Sequence, residues 1–326
     1  MQIGDASFGF EVVPGWEQLP EGWSHPDVAG VCTDSFGRVY LFCRGDHPVI
    51  VYDAEGRYLD AWGEGRFSYR AHGMFMTPQD ELLLVDDGGN TVRRYSTDGR
   101  LLQQIGPTAP PSDTGYVKGE REVTHPGGPY NRPTNAAVAA SGDIYVSDGY
   151  GNCQIHRFNP DGQQVQSWGT PGPGPSQFRL PHSVWVHEDG RVFVADRQNE
   201  RIQIFGPDGN YLTEWTDVQR PQDIFIDHAG RVYVAELCWR AGEIAPNRDR
   251  ITEYVPARMS IFDASGKLLL RWADPDPMKA GYFIAPHALW VDPVGSLYVA
   301  EATHTVAVSN GLAPASAHTF QKFARL

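Results

Sequence analysis

The chain has 326 residues, of which 41% are hydrophobic and 12% aromatic, and it contains 35 Gly and 25 Pro. This composition suits many short strands joined by tight turns and disfavours long helices, and the length fits one all-β domain over residues 1–326. The formal net charge of −13 at pH 7 opposes binding to nucleic acid or to an anionic membrane surface. We therefore expect a small-molecule substrate, and no obligate protein partner is evident.

The compartment is indicated by the start of the chain and by its cysteines. Residues 1–8 contain no basic segment followed by an apolar one, and no later stretch approaches the ~20 apolar residues that cross a bilayer. The four cysteines, Cys32, Cys43, Cys153 and Cys238, lack Cys-x-x-Cys spacing. We expect free thiols, no thiolate zinc site and a cytoplasmic protein.

A unit of four short strands recurs along the chain. Its clearest copy, residues 180–215, has four runs of β-branched and aromatic residues separated by Asp-Gly turns and a polar segment, which is typical of a four-stranded antiparallel meander. The turn between the first two strands of each copy is marked, in chain order, by Gly37, Asp80, Gly142, Gly190, Gly230 and Gly295. Six copies predict a six-bladed β-propeller.

Three segments depart from the repeat. Residues 8–13 have strand character but no blade of their own, and the last copy lacks a closing strand, so we predict that they complete the last blade, close the ring and protect its edges. Residues 107–130 precede blade three, and residues 239–254 interrupt blade five. Each insertion is either a lid or a solvated spacer.

Carboxylates mark the end of the second strand of most copies. Six residues after the turn position, the chain has Cys43, Asp86, Asp148, Asp196, Glu236 and Glu301. Five carboxylates in one column support the alignment. Asp148 and Asp196 are expected to accept backbone hydrogen bonds that tie the blades together.

Histidines occupy alternate copies at the entry to the first strand. Eight residues before the turn position, the chain has Ala29, His72, Thr134, His182, Gln222 and His287, a set that we call the entry column. A lone histidine at such a position is more often a packed core residue. Three on every second blade are predicted to converge at the central channel, where three imidazoles and an open position suit a catalytic zinc ion.

The loop after the second strand of each blade opens on the same face as the entry column. These loops contain Arg44 in blade one, Tyr150 and Asn152 in blade three, and Arg197 in blade four. We predict Tyr150 as a general base, Arg44 and Arg197 as anion-binding groups, and Asn152 as a substrate contact. The alternative for Arg197 is a simple ion pair with a neighbouring carboxylate.

Five motifs are more specific than the repeat itself, and they lie at residues 132–138, 144–152, 177–183, 194–199 and 285–287. In these motifs, and over residues 42–302 as a whole, the chain resembles peptidyl-α-hydroxyglycine α-amidating lyase, a propeller of NHL-repeat type, and its bacterial relatives. The resemblance implies one zinc ion per chain bound by His72, His182 and His287. It also implies a catalytic Tyr150 beside two active-site arginines, Arg44 and Arg197.

The chemistry that the resemblance implies is cleavage of the C–N bond of a carbinolamide to an amide and an aldehyde acid. Ala285 stands where the family commonly has a methionine. Ala288 stands where the family has a carboxylate associated with a structural calcium, which makes calcium doubtful. Gly151 replaces a cysteine of a family disulfide, in keeping with a reducing environment. We expect no monooxygenase domain beside the propeller in residues 1–326, so peptide amidation does not follow as the role and the substrate stays open.

Two alternatives belong to other functional classes. One is a metal-dependent hydrolase, such as a lactonase or esterase, but propellers of that kind hold calcium with carboxylates and amides, and the histidine column argues against it. The other is a non-catalytic NHL interaction scaffold, for which large apolar or basic patches are expected.

Overall fold

The computed structural model describes residues 1–5, 8–108, 110–118, 123–245 and 249–326. The chain divides into two compact units, Met1–Arg66 with Phe225–Leu326, and Phe67–Ile224. The strands form six main sheets of at least four antiparallel strands, which confirms the predicted all-β, six-bladed propeller. The assignment of residues 1–326 to a single domain stays a prediction.

The first unit contains blades one and six and most of blade five. Blade one contains Asp27–Thr33, Val39–Arg44, Val49–Tyr52 and Tyr58–Trp62. Blade five contains Pro221–Ile226, Val232–Glu236, Arg258–Phe262 and Leu268–Trp272. Blade six contains Pro286–Val291, Leu297–Glu301, Phe320–Arg325, Gly9–Val12 and Gln2–Gly4, with an α-helix at Thr303–Val306 and a 3₁₀ turn at Val308–Asn310.

The second unit contains blades two, three and four. Blade two contains Ala71–Met76, Glu81–Asp86, Thr91–Ser96 and Leu101–Ile105. Blade three contains Pro133–Val138, Ile144–Asp148, Gln154–Phe158 and Gln164–Trp168. Blade four contains Pro181–Val186, Val192–Asp196, Arg201–Phe205 and Tyr211–Trp215, with a 3₁₀ turn at Arg197–Asn199 and a short parallel pair, Thr170–Pro171 and Gln177–Phe178, before it. Among the described residues, no helix is long and apolar enough to cross a membrane.

The turn between the first two strands has the same backbone in a glycine copy and in the copy without glycine. Gly37 has φ +80°, a left-handed conformation that glycine adopts without a Cβ clash. Asp80 has φ +55°, and its N–H donates to the Thr77 carbonyl at 3.0 Å. Asp80 therefore takes the place of glycine in blade two, as the alignment of the repeat predicts.

The N-terminal strand completes the sixth blade. Gly9–Val12 pairs antiparallel with Phe320–Arg325, and Phe10 lies opposite Arg325. Phe10 is fully buried, and its ring stacks on Trp272 with centroids 6.2 Å apart. The predicted pairing of the two ends of the chain is confirmed.

The column of carboxylates fixes the segment that leads into the first strand of each blade. In four blades the carboxylate is buried and accepts a hydrogen bond from a backbone N–H just before that strand. The pairs are Asp86 with Ser68 at 2.6 Å, Asp148 with Asn131 at 2.9 Å, Asp196 with Arg179 at 2.8 Å and Glu301 with Ala285 at 2.9 Å. In each of these blades the bond positions the entry-column residue, which lies two to four residues further along the chain.

Apolar side chains fill the space between neighbouring blades. Within the first unit, Trp16, Val31 and Tyr298 belong to one buried cluster. Within the second unit, Trp168 closes blade three and packs on Phe205 of blade four at 5.7 Å between ring centroids. Trp168 therefore joins the sheets of blades three and four.

A partly buried ion pair links the segment after the N-terminal strand to the last part of the chain. His25 Nε2 lies 2.7 Å from Glu17 Oε1, and His25 Nδ1 lies 2.8 Å from the Thr319 hydroxyl. Burial lowers the pKa of His25, but the hydrogen bond and charge of Glu17 outweigh it, so the pKa is raised above 6.5.

This ion pair makes stability depend on pH. A raised pKa in the folded state means that the contribution is complete below about pH 6.5 and is lost as the pH rises through the folded value. We expect the urea midpoint of the wild type to fall between pH 6 and 9, and that of His25→Gln to fall less. An equal decline in both proteins would exclude the pair as its source.

Candidate functional site

Two histidines of the entry column face each other in the second unit. His72 lies in the first strand of blade two and His182 in the first strand of blade four, and both are buried. Their ring centroids are 4.8 Å apart. The repeat therefore brings side chains 110 positions apart in sequence into one small site.

Each histidine of the entry column is oriented by the carbonyl of the next residue in that column. His72 Nδ1 lies 2.5 Å from the Thr134 carbonyl, His182 Nδ1 lies 2.7 Å from that of Gln222, and His287 Nδ1 lies 2.8 Å from that of Ala29. A carbonyl oxygen has no hydrogen to donate, so in each of these contacts the neutral ring carries its proton on Nδ1. The lone pair is then on Nε2, which is the arrangement of a metal-binding imidazole.

The Tyr150 hydroxyl lies between the two histidines of the second unit. Its oxygen is 3.0 Å from His72 Nε2 and 3.0 Å from His182 Nε2. A phenol has one hydrogen to donate, whereas both Nε2 atoms present a lone pair. The Tyr150 hydroxyl can therefore donate its hydrogen to only one of the two rings at a time.

Three guanidinium groups surround the Tyr150 ring. The Cζ atoms of Arg70, Arg132 and Arg197 lie 5.5, 5.1 and 5.5 Å from its centroid. Arg197 was predicted at the site, and its Nη1 donates to Gln222 Oε1 at 3.4 Å. Its alternative role, an ion pair with a neighbouring carboxylate, is filled instead by Arg201, whose Nε lies 2.9 Å from Asp196.

Arg70 and Arg132 were missed by the sequence analysis. Both pair with Asp87, whose carboxylate lies 2.8 Å from Arg70 Nη2 and 3.0 Å from Arg132 Nη2. Burial lowers the pKa of Arg70, but the Asp87 carboxylate outweighs it and the net pKa is raised, so the guanidinium stays charged. A basic residue two positions before the entry column in blades two and three was the signal that could have identified them.

The Tyr150 loop is held by its own side chains and by the insertion before blade three. Asn152 donates to Asp148 at 2.8 Å and accepts from the backbone N–H of Gly127 at 3.1 Å. Thr114 donates to the Gly151 carbonyl at 2.5 Å. The insertion, residues 107–130, is thus packed against the site, although residues 109 and 119–122 lie outside the described residues.

A small cavity opens beside Tyr150. Its volume is about 110 Å³, and Asn152, Cys153, Phe178 and Leu180 are among the residues that line it. Drug-sized ligands occupy pockets of about 300–1,000 Å³, so this cavity suits a small group. Because the polar atoms of Asn152 bond within the loop, its contact with a substrate stays a prediction.

Two predicted site residues, Arg44 and His287, lie in the first unit and contact other residues of that unit. Arg44 is buried, with Nη1 at 3.5 Å from Asp27 and 3.3 Å from the Thr305 hydroxyl. His287 enters the first strand of blade six with Nδ1 directed at Ala29. Both remain predicted site residues. The second insertion, residues 239–254, includes residues 246–248, which lie outside the described residues.

None of the four cysteines is in a disulfide, as predicted, and all four are buried. Burial raises the pKa of the Cys32 and Cys43 thiols well above the usual value, and raises that of Cys153 to about 12. Neutral thiols are poor metal ligands. These three thiols are therefore poor candidates for binding a metal.

Comparison with known proteins agrees with the repeat. The NHL repeat family matches residues 178–205. NHL repeat-containing protein 3 of Homo sapiens is 30% identical over 309 residues, which cover 88% of this chain and 80% of that protein. A probable peptidyl-alpha-hydroxyglycine alpha-amidating lyase of Caenorhabditis elegans is 28% identical over 187 residues, which cover 53% of this chain and 49% of that protein.

A solved structure described as a putative gluconolactonase superposes with a TM-score of 0.62 at 14% identity, covering 99% of this chain and 94% of that one. At this identity the likeness shows the fold alone.

Proposed function

The chain belongs to the family of NHL-repeat propellers that includes NHL repeat-containing protein 3, and on this premise we propose that it is a zinc-dependent lyase. The proposed substrate is a small carbinolamide, an amide whose nitrogen is attached to a hydroxylated carbon. Similarity to a probable alpha-amidating lyase supports this reaction class. The observation that carries the proposal is the Tyr150 hydroxyl between two histidine Nε2 atoms.

We propose His72, His182 and His287 as the ligands of one zinc ion per chain. The Nδ1 contact with a backbone carbonyl that all three histidines have supports this, because it places the lone pair of each neutral ring on Nε2, the atom that would bind the cation. When bound, zinc would act as a Lewis acid that polarises the substrate hydroxyl. Calcium remains doubtful, since the sequence lacks the family's carboxylate after the third histidine.

The proposed role of Tyr150 is to take the proton of the carbinol hydroxyl as a phenolate. The hydroxyl oxygen then forms the aldehyde double bond, the C–N bond breaks, and the nitrogen takes the electron pair of that bond together with the proton that Tyr150 had accepted. A carbinolamide thus gives an amide and an aldehyde acid such as glyoxylate, with no change in oxidation state. Arg70, Arg132 and Arg197 supply positive charge around the phenolate.

The proposal also includes the sequence-based predictions on domain organisation, substrate binding, partners and compartment. We propose that residues 1–326 act as one domain, that Arg44 and Asn152 assist substrate binding, and that the partner is a small molecule. Nucleic acid, membranes and an obligate protein partner have no part in it. Four free, buried cysteines fit a reducing compartment, and we propose the cytoplasm.

Metal analysis and a lyase assay test the proposal. We expect about one zinc ion per chain and release of glyoxylate from an N-acyl-α-hydroxyglycine. His182→Ala should lose the metal and the activity while it stays folded. His187→Ala, on the same blade but paired with Asp189 at 2.9 Å, is the matched control and should lose neither.

The other outcomes lead to different functions. Bound calcium with hydrolysis of a lactone or ester would support the hydrolase instead. A metal-free protein without lyase activity would support the interaction scaffold. Metal retained by His182→Ala would remove this histidine from the ligand set.

A further inference from the structure

We propose that Arg70 and Arg132, braced by Asp87, form an arginine clamp that binds a carboxylate of the substrate. The inference rests on the proposed lyase and deepens it, because it names the side chains that would hold the carboxylate next to the hydroxylated carbon. Neither arginine was among the predicted site residues.

The clamp is built around a buried carboxylate. Asp87 has no exposed side-chain surface, and it accepts hydrogen bonds from Arg70 Nε at 3.1 Å and Nη2 at 2.8 Å. It also accepts one from Arg132 Nη2 at 3.0 Å. Two positive charges therefore share one negative charge, and the surplus positive charge is available to an anion.

The two guanidinium groups are fixed and still accessible. The side chains of Arg70 and Arg132 are 31% and 27% exposed, respectively. Arg132 Nη1 donates to the Tyr116 hydroxyl at 2.9 Å, so Tyr116 and Asp87 together set its plane. Within the described residues, the Arg132 guanidinium makes two hydrogen bonds, to Tyr116 and to Asp87, although it has five N–H donors.

The clamp lies beside the proposed reacting group. Both guanidinium groups lie over Tyr150, with Cζ to ring-centroid distances of 5.5 Å for Arg70 and 5.1 Å for Arg132. A carboxylate bound there would be close to the carbinol whose proton Tyr150 takes. Planar guanidinium groups also match the two oxygens of a carboxylate.

Arg44, predicted from the sequence as a carboxylate anchor, is less suited to this role. Only 2% of its side chain is exposed, and Asp27 lies 3.5 Å from its Nη1. The chain as a whole carries −13 charges, so the surplus around Asp87 is not a general property of the protein. The clamp favours an acidic carbinolamide and disfavours a neutral lactone.

Binding of two small probes tests the clamp without turnover. Glycolate carries a hydroxyl beside a carboxylate, and glycolamide is its neutral analogue. In calorimetric titrations of the metal-loaded full chain, we expect glycolate to bind and glycolamide to bind at least about tenfold more weakly.

Single substitutions locate the effect. Arg70→Gln and Arg132→Gln should each weaken glycolate binding roughly 10- to 100-fold and leave glycolamide binding unchanged. Arg57→Gln is the control, because Arg57 is 64% exposed and pairs with Asp53 on blade one. If Arg132→Gln fails to fold, Arg132→Lys takes its place in the test. It retains the charge but lacks the planar guanidinium, so we expect its affinity for glycolate to lie between those of the wild type and of a variant without the charge.

The outcomes separate the clamp from the lyase. Glycolate affinity within twofold of wild type in the Arg70 and Arg132 variants overturns the clamp, whatever the lyase assay gives. Arginine-dependent glycolate binding without zinc or turnover supports the clamp and rejects the lyase. Equal binding of glycolate and glycolamide also overturns the clamp.

Discussion

Replacing Tyr150 with Phe is expected to lower the turnover of a carbinolamide by about 10²- to 10⁴-fold, with the zinc content unchanged. The substitution removes the proposed base but leaves His72 and His182 bonded through Nδ1 to their carbonyls, at 2.5 and 2.7 Å. The imidazoles therefore keep their orientation. Glyoxylate release at saturating substrate and metal analysis of the same preparation measure the two effects.

The control is Tyr58→Phe, because Tyr58 is exposed on the closing strand of blade one. It should retain full activity. Normal turnover by Tyr150→Phe would remove Tyr150 from the mechanism. Loss of zinc together with activity would make its hydroxyl a structural partner of the histidines rather than a base.

Asp196→Ala is expected to lower the free energy of unfolding by about 3–5 kcal/mol. Asp196 is fully buried and accepts hydrogen bonds from Arg201 Nε at 2.9 Å and from the Arg179 backbone at 2.8 Å. Burial raises the pKa of Asp196 more than Arg201 lowers it. Removing the carboxylate leaves a buried guanidinium short of its partner and frees the segment before His182.

Urea denaturation of wild type and variant at pH 7 measures this loss. Asp189→Ala is the matched control, since Asp189 lies 2.8 Å from Arg191 on the surface of the same blade. An exposed pair contributes at most about 1 kcal/mol. A loss below that value for Asp196→Ala would show that the column of carboxylates is not a main source of stability.

The blades could be predicted because each strand and turn is encoded locally. Alternation of apolar and polar residues indicates a strand, and an Asp-Gly turn ends it wherever the strand lies. The same local logic made Asp80 recognisable as a substitute for glycine, which its φ of +55° bears out. The pairing of residues 8–13 followed from counting strands rather than from any local pattern.

The site was predictable only where it follows the repeat. Tyr150 and Arg197 occupy corresponding loops, so the alignment of blades indicated that they face the entry column. The Asp87 pairing with Arg70 and Arg132 depends on side-chain directions between two blades, which the repeat does not encode. The contact of Thr114 with the Tyr150 loop depends on the path of an irregular insertion, and no periodicity describes it.

The pairing of Gly9–Val12 with Phe320–Arg325 has a consequence for biosynthesis. A nascent chain releases the first of these strands from the ribosome long before its partner has been translated. Until then Phe10 has no sheet to cover it, and the sixth blade stays incomplete while earlier meanders can already form from neighbouring residues. Assembly of this blade must therefore be among the last events of folding, and the early strand must avoid aggregation while it waits.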